Sequence, residues 1–169
     1  PLTTGARIAA DVMAPSIGIA EADIEVSRHE PVFASVGLKF ILVEVKNLEA
    51  LAKAASQLEP LTALRATFAD EDCDCATFLY TWVGPDHIRA RMFAPFDNVA
   101  EDPATGSASA ALGAFLTTLG SALPERHLLI EQGVEMGRRS LIRLRVTAND
   151  GTFDQVEISG SSVLVTRGE

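Results

Sequence analysis

The sequence concentrates chemically useful side chains in the stretch NVAEDPATGS, residues 98–107. Pro103 has no N–H and disfavours helix at the residue before it, so Asp102 is predicted to lie in a turn or extended conformation. Gly106 has no Cβ, and the free N–H groups of a helix that starts here would bind a carboxylate or phosphate. A carboxyl group beside such an anion can donate or accept a proton.

The same spacing also fits ordinary helix capping, without any ligand. Thr105 or Ser107 could accept a hydrogen bond from a first-turn N–H, and Asp102 would interact favourably with the positive end of the helix dipole. Capping is the more common role for these residue types. The residues by themselves therefore leave both interpretations open.

The helix that follows is predicted to be buried. Residues 105–119, TGSASAALGAFLTTL, include no charged side chain, and their apolar positions spread around the whole helix. Ser109 and Gly113 are small enough to let strands approach the helix backbone closely. A strongly bent sheet wrapped around this helix is the simplest architecture that fits.

Alternation of apolar and polar residues predicts strands over much of the remaining chain. Asn47 is predicted to cap a short helix that runs to about Gln57. The predicted strands span residues 35–45, 61–69, 77–83, 87–93, 127–130, 141–147, 155–158 and 163–165. The predicted fold class is therefore α+β, with a strongly bent, largely antiparallel sheet wrapped around a central buried helix.

Composition and charge limit the binding partners and the cellular compartment that are expected for this chain. The 169 residues carry a formal charge of −9, which repels nucleic acid and anionic membranes, so neither is a predicted partner. Cys73 and Cys75 have the spacing C-x-C, which is not that of a redox or zinc motif, and are predicted to be reduced thiols in the cytoplasm. Residues 70–74 lack the Gly and terminal Glu of a calcium loop and are predicted to form a solvated turn.

Several stretches, taken in order along the chain, resemble one known family. Residues 91–116, RMFAPFDNVAEDPATGSASAALGAFL, resemble the motif of the phenazine-biosynthesis (PhzF-like) family, which has the diaminopimelate-epimerase-like fold. Residues 130–140, IEQGVEMGRRS, resemble its EQG-x-x-MGR-x-S element. Residues 31–40 resemble the segment leading into its second lobe, and residues 156–165 resemble its terminal strands.

The resemblance implies a cofactor-independent isomerase or epimerase with two similar lobes and an active site between two helix N-termini. It implies catalytic roles for Asp102 and Ser107, and contacts from Thr105, Gly106 and Ser107 to a substrate carboxylate or oxyanion. It implies no metal and no cofactor. The partners it implies are a small carboxylate-bearing substrate and, at the family level, a second copy of the chain in a homodimer.

The resemblance also implies that one lobe is missing. The family's principal acid/base glutamate and its histidine-containing GHAT-like turn belong to the first lobe, and no such turn occurs in this sequence. Residues 31–169 are therefore expected to be the C-terminal lobe, residues 1–30 a connecting segment from the N-terminal lobe, and Pro1 an interior position of a longer polypeptide.

Two functional hypotheses follow. In the first, the chain is half of an isomerase that transfers a proton on a small carboxylic acid. In the second, it is a non-catalytic half-domain that self-associates or binds a small acid without turnover. Racemisation by a thiol is disfavoured, because related racemases have Cys at the helix start, whereas Cys73 and Cys75 lie elsewhere in the sequence. Ser107 is also a weak acyl-transfer nucleophile, since no histidine lies near it in sequence.

Overall fold

The computed structural model describes residues 1–120, 124–149 and 152–163, together with residues 166 and 168. Within these residues the chain forms nine strands and four α-helices. In order they are β1 (Thr3–Arg7), α1 (Ala10–Ile17), β2 (Val32–Ser35), β3 (Lys39–Glu44), α2 (Leu48–Lys53), α3 (Leu58–Thr67), β4 (Thr77–Gly84), β5 (His87–Ala94), β6 (Val99–Asp102), α4 (Gly106–Thr117), β7 (Glu125–Gln132), β8 (Ser140–Asn149) and β9 (Thr152–Gly160).

The strands form one sheet in the order β1-β2-β3-β4-β5-β7-β8-β9, with β6 paired to β5. Helix α4 contacts β2 and β3 near one end of this order and β8 and β9 at the other, so the sheet curls strongly around it. The predicted α+β class and strong bend are confirmed. The sheet is mixed, because β3–β4 and β5–β7 are parallel among otherwise antiparallel described pairings.

Helix α4 packs against the concave face of the sheet. Residues 108–116 are all buried, in keeping with a helix that has no charged face. Leu112 and Phe115 belong to the same apolar cluster as Phe78 and Ile130 of the sheet. A Cβ on Gly113 would lie 3.0 Å from Leu144, so the missing side chain lets β8 approach the helix closely.

The other face of the sheet is covered by the first three helices. Side chains alternate between faces along a strand, so Phe40 and Leu42 of β3 join the α4 cluster, whereas Ile41 and Val43 pack beneath α1, α2 and α3. The apolar run from Phe40 to Val43 is therefore continuous because both faces of this strand are buried.

Four predicted elements differ from the structure. The strand predicted over 35–45 begins only at Lys39, as β3, because Ser35 ends the separate strand β2 and residues 36–38 form the turn between the two strands. The strand predicted over 61–69 is wrong: this stretch lies largely in α3, whose buried Leu61 and Leu64 have helical spacing. Asn47 caps α2 as predicted, accepting a hydrogen bond from Ala50 N at 2.9 Å, but the helix ends at Lys53. Of the strand predicted over 163–165, two residues lie outside the described residues, and Val163 is not in a strand.

The first thirty residues pack onto the remainder of the chain. Strand β1 pairs antiparallel with β2, and the Ile8 N–H donates to the Pro31 carbonyl at 2.7 Å. Met13 and Ile17 of α1 are buried in the cluster on the outer face. The further expectation that residues 1–30 connect to another lobe stays a prediction.

Candidate active site at the start of helix α4

The turn between β6 and α4 is held by the side chain of Gln132, at the end of β7. Its Oε1 accepts a hydrogen bond from Thr105 N at 3.0 Å. Its Nε2 donates to the Asp102 carbonyl at 2.6 Å and to Thr105 Oγ1 at 2.9 Å. Gln132 is completely buried, and all three of these contacts fasten the turn to the neighbouring strand.

The Thr105 hydroxyl is directed at the carboxylate of Asp102. Thr105 Oγ1 donates to Asp102 Oδ2 at 2.6 Å, while Thr105 occupies the N-cap position of α4 without a side-chain capping bond. The interpretation in which the Thr105 side chain caps the helix is therefore wrong. The hydroxyl orients Asp102 instead, and the Thr105 carbonyl accepts from Ser109 N at 3.0 Å and Ser109 Oγ at 2.9 Å.

The neighbouring carboxylate, Glu101, forms an ion pair with Arg91. Both of its oxygens accept from Arg91 at 2.8 Å. The same guanidinium donates to the carbonyls of Leu51, Ala52 and Ala54 at the end of α2, at 2.6 to 3.2 Å. Of the acidic pair at 101–102, Glu101 therefore ties the site to α2, and Asp102 is the carboxylate joined to the start of α4.

A cleft of about 420 Å³ opens at the N-terminal end of α4. Thr105 and Ser107, two of the predicted site residues, line one wall, and Gly106 lies between them. Asp102 joins this group through the hydroxyl of Thr105. The remaining lining residues are Leu38, Lys39, Phe40, Asp72, Cys73, Asp74, Ala76, Met92 and Asp97.

A larger cleft of about 500 Å³ lies at the opposite end of α4, between β1 and β9. Its lining includes Phe115, Thr118 and Phe153, with Arg7 as the charged side chain. None of the predicted site residues lies there, and the lining includes no carboxylate or thiol among the residues that the structure describes. Proton transfer requires such groups, so the smaller cleft is the better candidate for the active site.

The smaller cleft also contains a thiol. Cys73 lies far from the start of the buried helix in the sequence, but Cys73 and Ser107 line the same cleft. A side-chain hydrogen bond with Cys75 lowers the pKa of Cys73 to about 7, and a backbone contact and Lys39 act in the same direction against burial. Strand pairing and helix packing bring the two segments together, and no sequence signal marks that approach.

The acidic segment 70–74 is only partly the solvated turn that was predicted. Asp70, Asp72 and Asp74 are exposed, but Glu71 is half-buried and pairs with Lys39 on β3 and with the Ala6 N–H on β1. Within the described ranges, no three His, Cys, Asp or Glu side chains are grouped closely enough to hold a metal ion.

In the same ranges, no helix is long and apolar enough to cross a membrane.

The fold and site together define a class of protein: a curled, mixed sheet around a buried helix, with a carboxylate and a small-residue turn at the helix start. The family described as "Phenazine biosynthesis-like protein", PhzC-PhzF, matches residues 5–168. The chain therefore belongs to this family, in agreement with the resemblance of its motifs.

Relatives with similar sequences are named as isomerases. An uncharacterized isomerase of Mesorhizobium japonicum is 34% identical over 158 residues, covering 91% of this chain and 52% of the relative. Trans-2,3-dihydro-3-hydroxyanthranilate isomerase of Pseudomonas chlororaphis is 32% identical over 171 residues, covering 99% of this chain and 56% of that enzyme. The chain thus spans about half the length of the curated relatives it matches.

Solved structures agree on the fold. A phenazine biosynthesis protein of the PhzF family from Bacillus anthracis superposes with a TM-score of 0.73 at 23% identity, covering 98% of this chain and 58% of that one. A predicted epimerase from Pseudomonas aeruginosa superposes with a TM-score of 0.64 at 27% identity, covering 98% of this chain and 56% of that one. The roles assigned to Asp102, Thr105, Gly106 and Ser107 stay predictions.

Proposed function

We propose that this chain forms one side of the active site of a cofactor-independent isomerase or epimerase that transfers a proton on a small carboxylic acid. In this proposal residues 31–169 are the C-terminal lobe, and a first lobe forms the other side of the site. The observation that carries the proposal is the Asp102 carboxylate, oriented by Thr105 beside the free end of α4. The isomerase names of the relatives and their greater length support it.

The start of α4 supplies the anion-binding part of the mechanism. The first N–H groups of a helix have no intrahelical partner, and the helix dipole favours negative charge at this end. The N–H groups of Gly106 and Ser107, with the Ser107 hydroxyl, would hold a substrate carboxylate or the oxygen of an enolate-like intermediate. Such donors stabilise charge that develops when a proton leaves carbon, so they lower the barrier to its removal.

Asp102 supplies the proton-transfer part. Its Oδ2 is held by Thr105 at 2.6 Å, and its second oxygen would exchange the proton with the substrate. In one step a base removes a proton from a substrate carbon, and in the next an acid returns a proton to another carbon or to the opposite face. Asp102 performs one of these transfers, and a group of the first lobe performs the other.

Apolar side chains beside the cleft offer a surface for that first lobe. Leu38 lines the cleft and is 67% exposed. Ile158, the nearest neighbour of a Cβ built on Gly106, is 46% exposed. Covering these side chains with a second lobe would remove apolar surface from water and exclude water from the reacting groups.

The direct test is exchange of substrate hydrogen with solvent. The chain, alone and mixed with the proposed first lobe, is incubated in deuterated water with trans-2,3-dihydro-3-hydroxyanthranilate, the compound in the name of the Pseudomonas relative. We expect deuterium incorporation by the mixture and little by the chain alone. Incorporation at equal rates with and without the first lobe would contradict a shared site.

Asp102 is tested in the same assay with an isosteric variant. Asp102→Asn keeps an oxygen that accepts from Thr105 but removes the proton-transferring group, so exchange should fall at least about a hundredfold. Asp86→Asn, on the β4–β5 turn and outside the cleft, is the matched control and should exchange at the wild-type rate. Exchange by Asp102→Asn at the wild-type rate would remove Asp102 from the mechanism.

A second candidate function is favoured by the two ends of the sheet. Strands β1 and β9 end the strand order and are largely exposed, so they present edges that a second copy of the chain could use. In this alternative the chain is a non-catalytic half-domain that self-associates or binds a small acid. Deuterium incorporation by the chain alone would exclude it, and sedimentation velocity would measure self-association or a homodimer.

The proposed partners and compartment follow the same reasoning. A charge of −9 disfavours nucleic acid and anionic lipid, which leaves a small carboxylate, the first lobe and a second copy as partners. Cys73 and Cys75 are both free thiols, which is typical of proteins of the reducing cytoplasm. The proposed reaction requires no metal or cofactor.

A further inference from the structure

We propose that Cys73 and Cys75 form an oxidation site on the wall of the cleft, where a peroxide converts the two thiols into an intramolecular disulfide. The isomerase proposal uses neither sulfur, so this inference goes beyond it. The site consists of one accessible thiol, one buried thiol behind it, and the loop that holds both between α3 and β4.

The geometry of the loop brings the two cysteines into contact. Cys73 is half-buried and lines the cleft, whereas Cys75 is only 1% exposed. The Cys75 N–H donates to Cys73 Sγ at 3.3 Å, and Cys75 Sγ lies 3.7 Å from the Cys73 carbonyl oxygen. Asp72 and Cys75 have positive φ angles of 48° and 54°, a left-handed conformation that non-glycine residues adopt at a cost, so the chain winds tightly around Cys73.

The two thiols differ in acidity. A side-chain hydrogen bond with Cys75 lowers the pKa of Cys73 to about 7, so about half of it is thiolate at neutral pH. The hydrogen bond with Cys73, followed by burial, raises the pKa of Cys75, which stays protonated. An accessible thiol of low pKa next to a second cysteine is typical of redox-sensing cysteines.

The charged groups around the loop have opposing effects on the pKa of Cys73. Lys39 favours the Cys73 thiolate and Asp74 disfavours it. Asp74 is itself paired with Arg65 at 2.7 Å, and Lys39 is paired with Glu71 at 3.0 Å. Asp72 and Asp97 also line the cleft. The hydrogen bonds from Cys75 therefore favour the Cys73 thiolate independently of these surrounding charges.

The reaction balances with one peroxide per chain. The Cys73 thiolate attacks one oxygen of hydrogen peroxide, the O–O bond breaks, and Cys73 becomes a sulfenic acid while hydroxide leaves and takes up a proton. The Cys75 sulfur then attacks the sulfenic sulfur and the S–O bond breaks. The leaving hydroxide takes up the proton of the Cys75 thiol and departs as the second water. The net change is two thiols and one peroxide to one disulfide and two waters.

The C-x-C spacing makes this disulfide reversible. A ring closed between residues two apart is small and strained, and strained disulfides are reduced more readily than relaxed ones. A small thiol reductant should therefore restore both thiols. Because Cys73 and Ser107 line the same cleft, the oxidation state of the pair changes the wall that faces Ser107.

The test uses the 169-residue chain and two single variants, with hydrogen peroxide as oxidant, dimedone as a trap for sulfenic acid, and intact mass as the readout. We expect the wild type to lose about 2 Da as one disulfide forms, and to recover its mass with dithiothreitol. Cys75→Ser should accumulate the dimedone adduct on Cys73. Cys73→Ser should consume peroxide at least about tenfold more slowly than the wild type.

Three results would overturn the proposal. They are equal peroxide consumption by Cys73→Ser and wild type, equal dimedone labelling of wild type and Cys75→Ser, or conversion of the wild type to disulfide-linked dimers. Cys75 is buried and Cys75→Ser could fail to fold, so the wild type is also mapped by fragmentation of the peptide that contains both cysteines. An unoxidised peptide after peroxide treatment contradicts the proposal without any variant.

Discussion

Gln132 holds Thr105 at two points, its backbone nitrogen at 3.0 Å and its hydroxyl at 2.9 Å. The hydroxyl in turn donates to Asp102, so a side chain on β7 sets the position of the carboxylate at the start of α4. Gln132 belongs to the stretch 130–140 that resembles a family element, but no pattern in the sequence predicts a role for it. The structure identifies it as a positioning residue for the candidate site.

Replacing Gln132 should therefore destabilise the turn. Gln132→Ala leaves the Thr105 N–H and the Asp102 carbonyl without their partner in a buried place, which costs about 1–3 kcal/mol of unfolding free energy. Urea unfolding followed by circular dichroism measures this. Gln155→Ala, at an exposed position of β9, is the control and should leave stability nearly unchanged. Equal stabilities of the two variants would show that the turn does not depend on Gln132.

Replacing Arg91 should destabilise the protein, because its guanidinium bonds both to Glu101 on β6 and to the carbonyls at the end of α2. Arg91 is 8% exposed, and Arg91→Met would leave Glu101 as a half-buried charge without its partner and three carbonyls at the end of α2 without their donor, at a cost of about 3 kcal/mol. Arg143→Met, at an exposed position of β8, is the matched control for loss of a guanidinium. Chemical denaturation of both variants checks this, and a small effect of Arg91→Met would contradict the structural role of the ion pair.

Gly133 and Gly137, which follow β7, both have a left-handed backbone, but only at Gly133 would a side chain also collide with neighbouring atoms. Gly133 has φ +78°, and a Cβ there would collide with the carbonyl oxygens of Arg138 and Pro103, the latter at 2.9 Å. Gly137 has φ +72°, with open space around the same position. Gly137→Ala should cost about 1–2 kcal/mol, the price of left-handed backbone alone, and Gly133→Ala should cost more. Thermal unfolding of both variants measures the difference, and equal losses would contradict the close approach of Gly133 to Pro103.

Alkylation of Cys73 should depend on pH with a midpoint of about 7. The thiolate is the reacting form, so the rate with iodoacetamide rises as pH increases through the pKa and levels off above it. Cys75→Ala removes the thiol whose hydrogen bond lowers that pKa, and the midpoint should move upward. Peptide mass mapping across pH 5.5–9 measures both profiles, since about 8.5 is the ordinary thiol value. Coincident midpoints would mean that Cys75 does not act on Cys73.

Stability should fall as pH decreases below about 6.5, because of His29. Burial lowers the pKa of His29 from 6.5, against opposing effects of the Glu30 carbonyl and Glu44. Below that value the unfolded chain binds a proton that the folded chain resists, so unfolding becomes easier.

Urea unfolding of wild type and His29→Gln between pH 7.5 and 5.5 measures the contribution of His29. The wild type should lose stability as pH falls, and His29→Gln should lose less. His29 Nε2 lies 2.7 Å from the Tyr80 hydroxyl, so the variant should be less stable at every pH, and the comparison rests on the slopes alone. Equal slopes for the two proteins would contradict a buried, neutral His29.

Local sequence patterns are sufficient to predict the buried helix, most of the strands and the family. An uncharged run at residues 105–119 is sufficient to predict a helix surrounded by protein, and alternation along β4 and β5 is sufficient to predict strands. The segment 61–69 was misassigned, because its apolar residues fit both periods and the choice depends on packing against α1 and the sheet. Local patterns specify elements when one periodicity dominates.

The assembly of the candidate site depends on contacts between segments that are far apart in the sequence. Asp102, Thr105 and Ser107 could be chosen from the sequence because they are neighbours in it. Gln132 and Cys73 reach the same turn and cleft through strand pairing and helix packing between distant segments. No local pattern around Gln132 or Cys73 indicates that either residue lies near α4. The hydrogen bond to Thr105 and the cleft shared by Cys73 and Ser107 form only when the sheet curls around the helix.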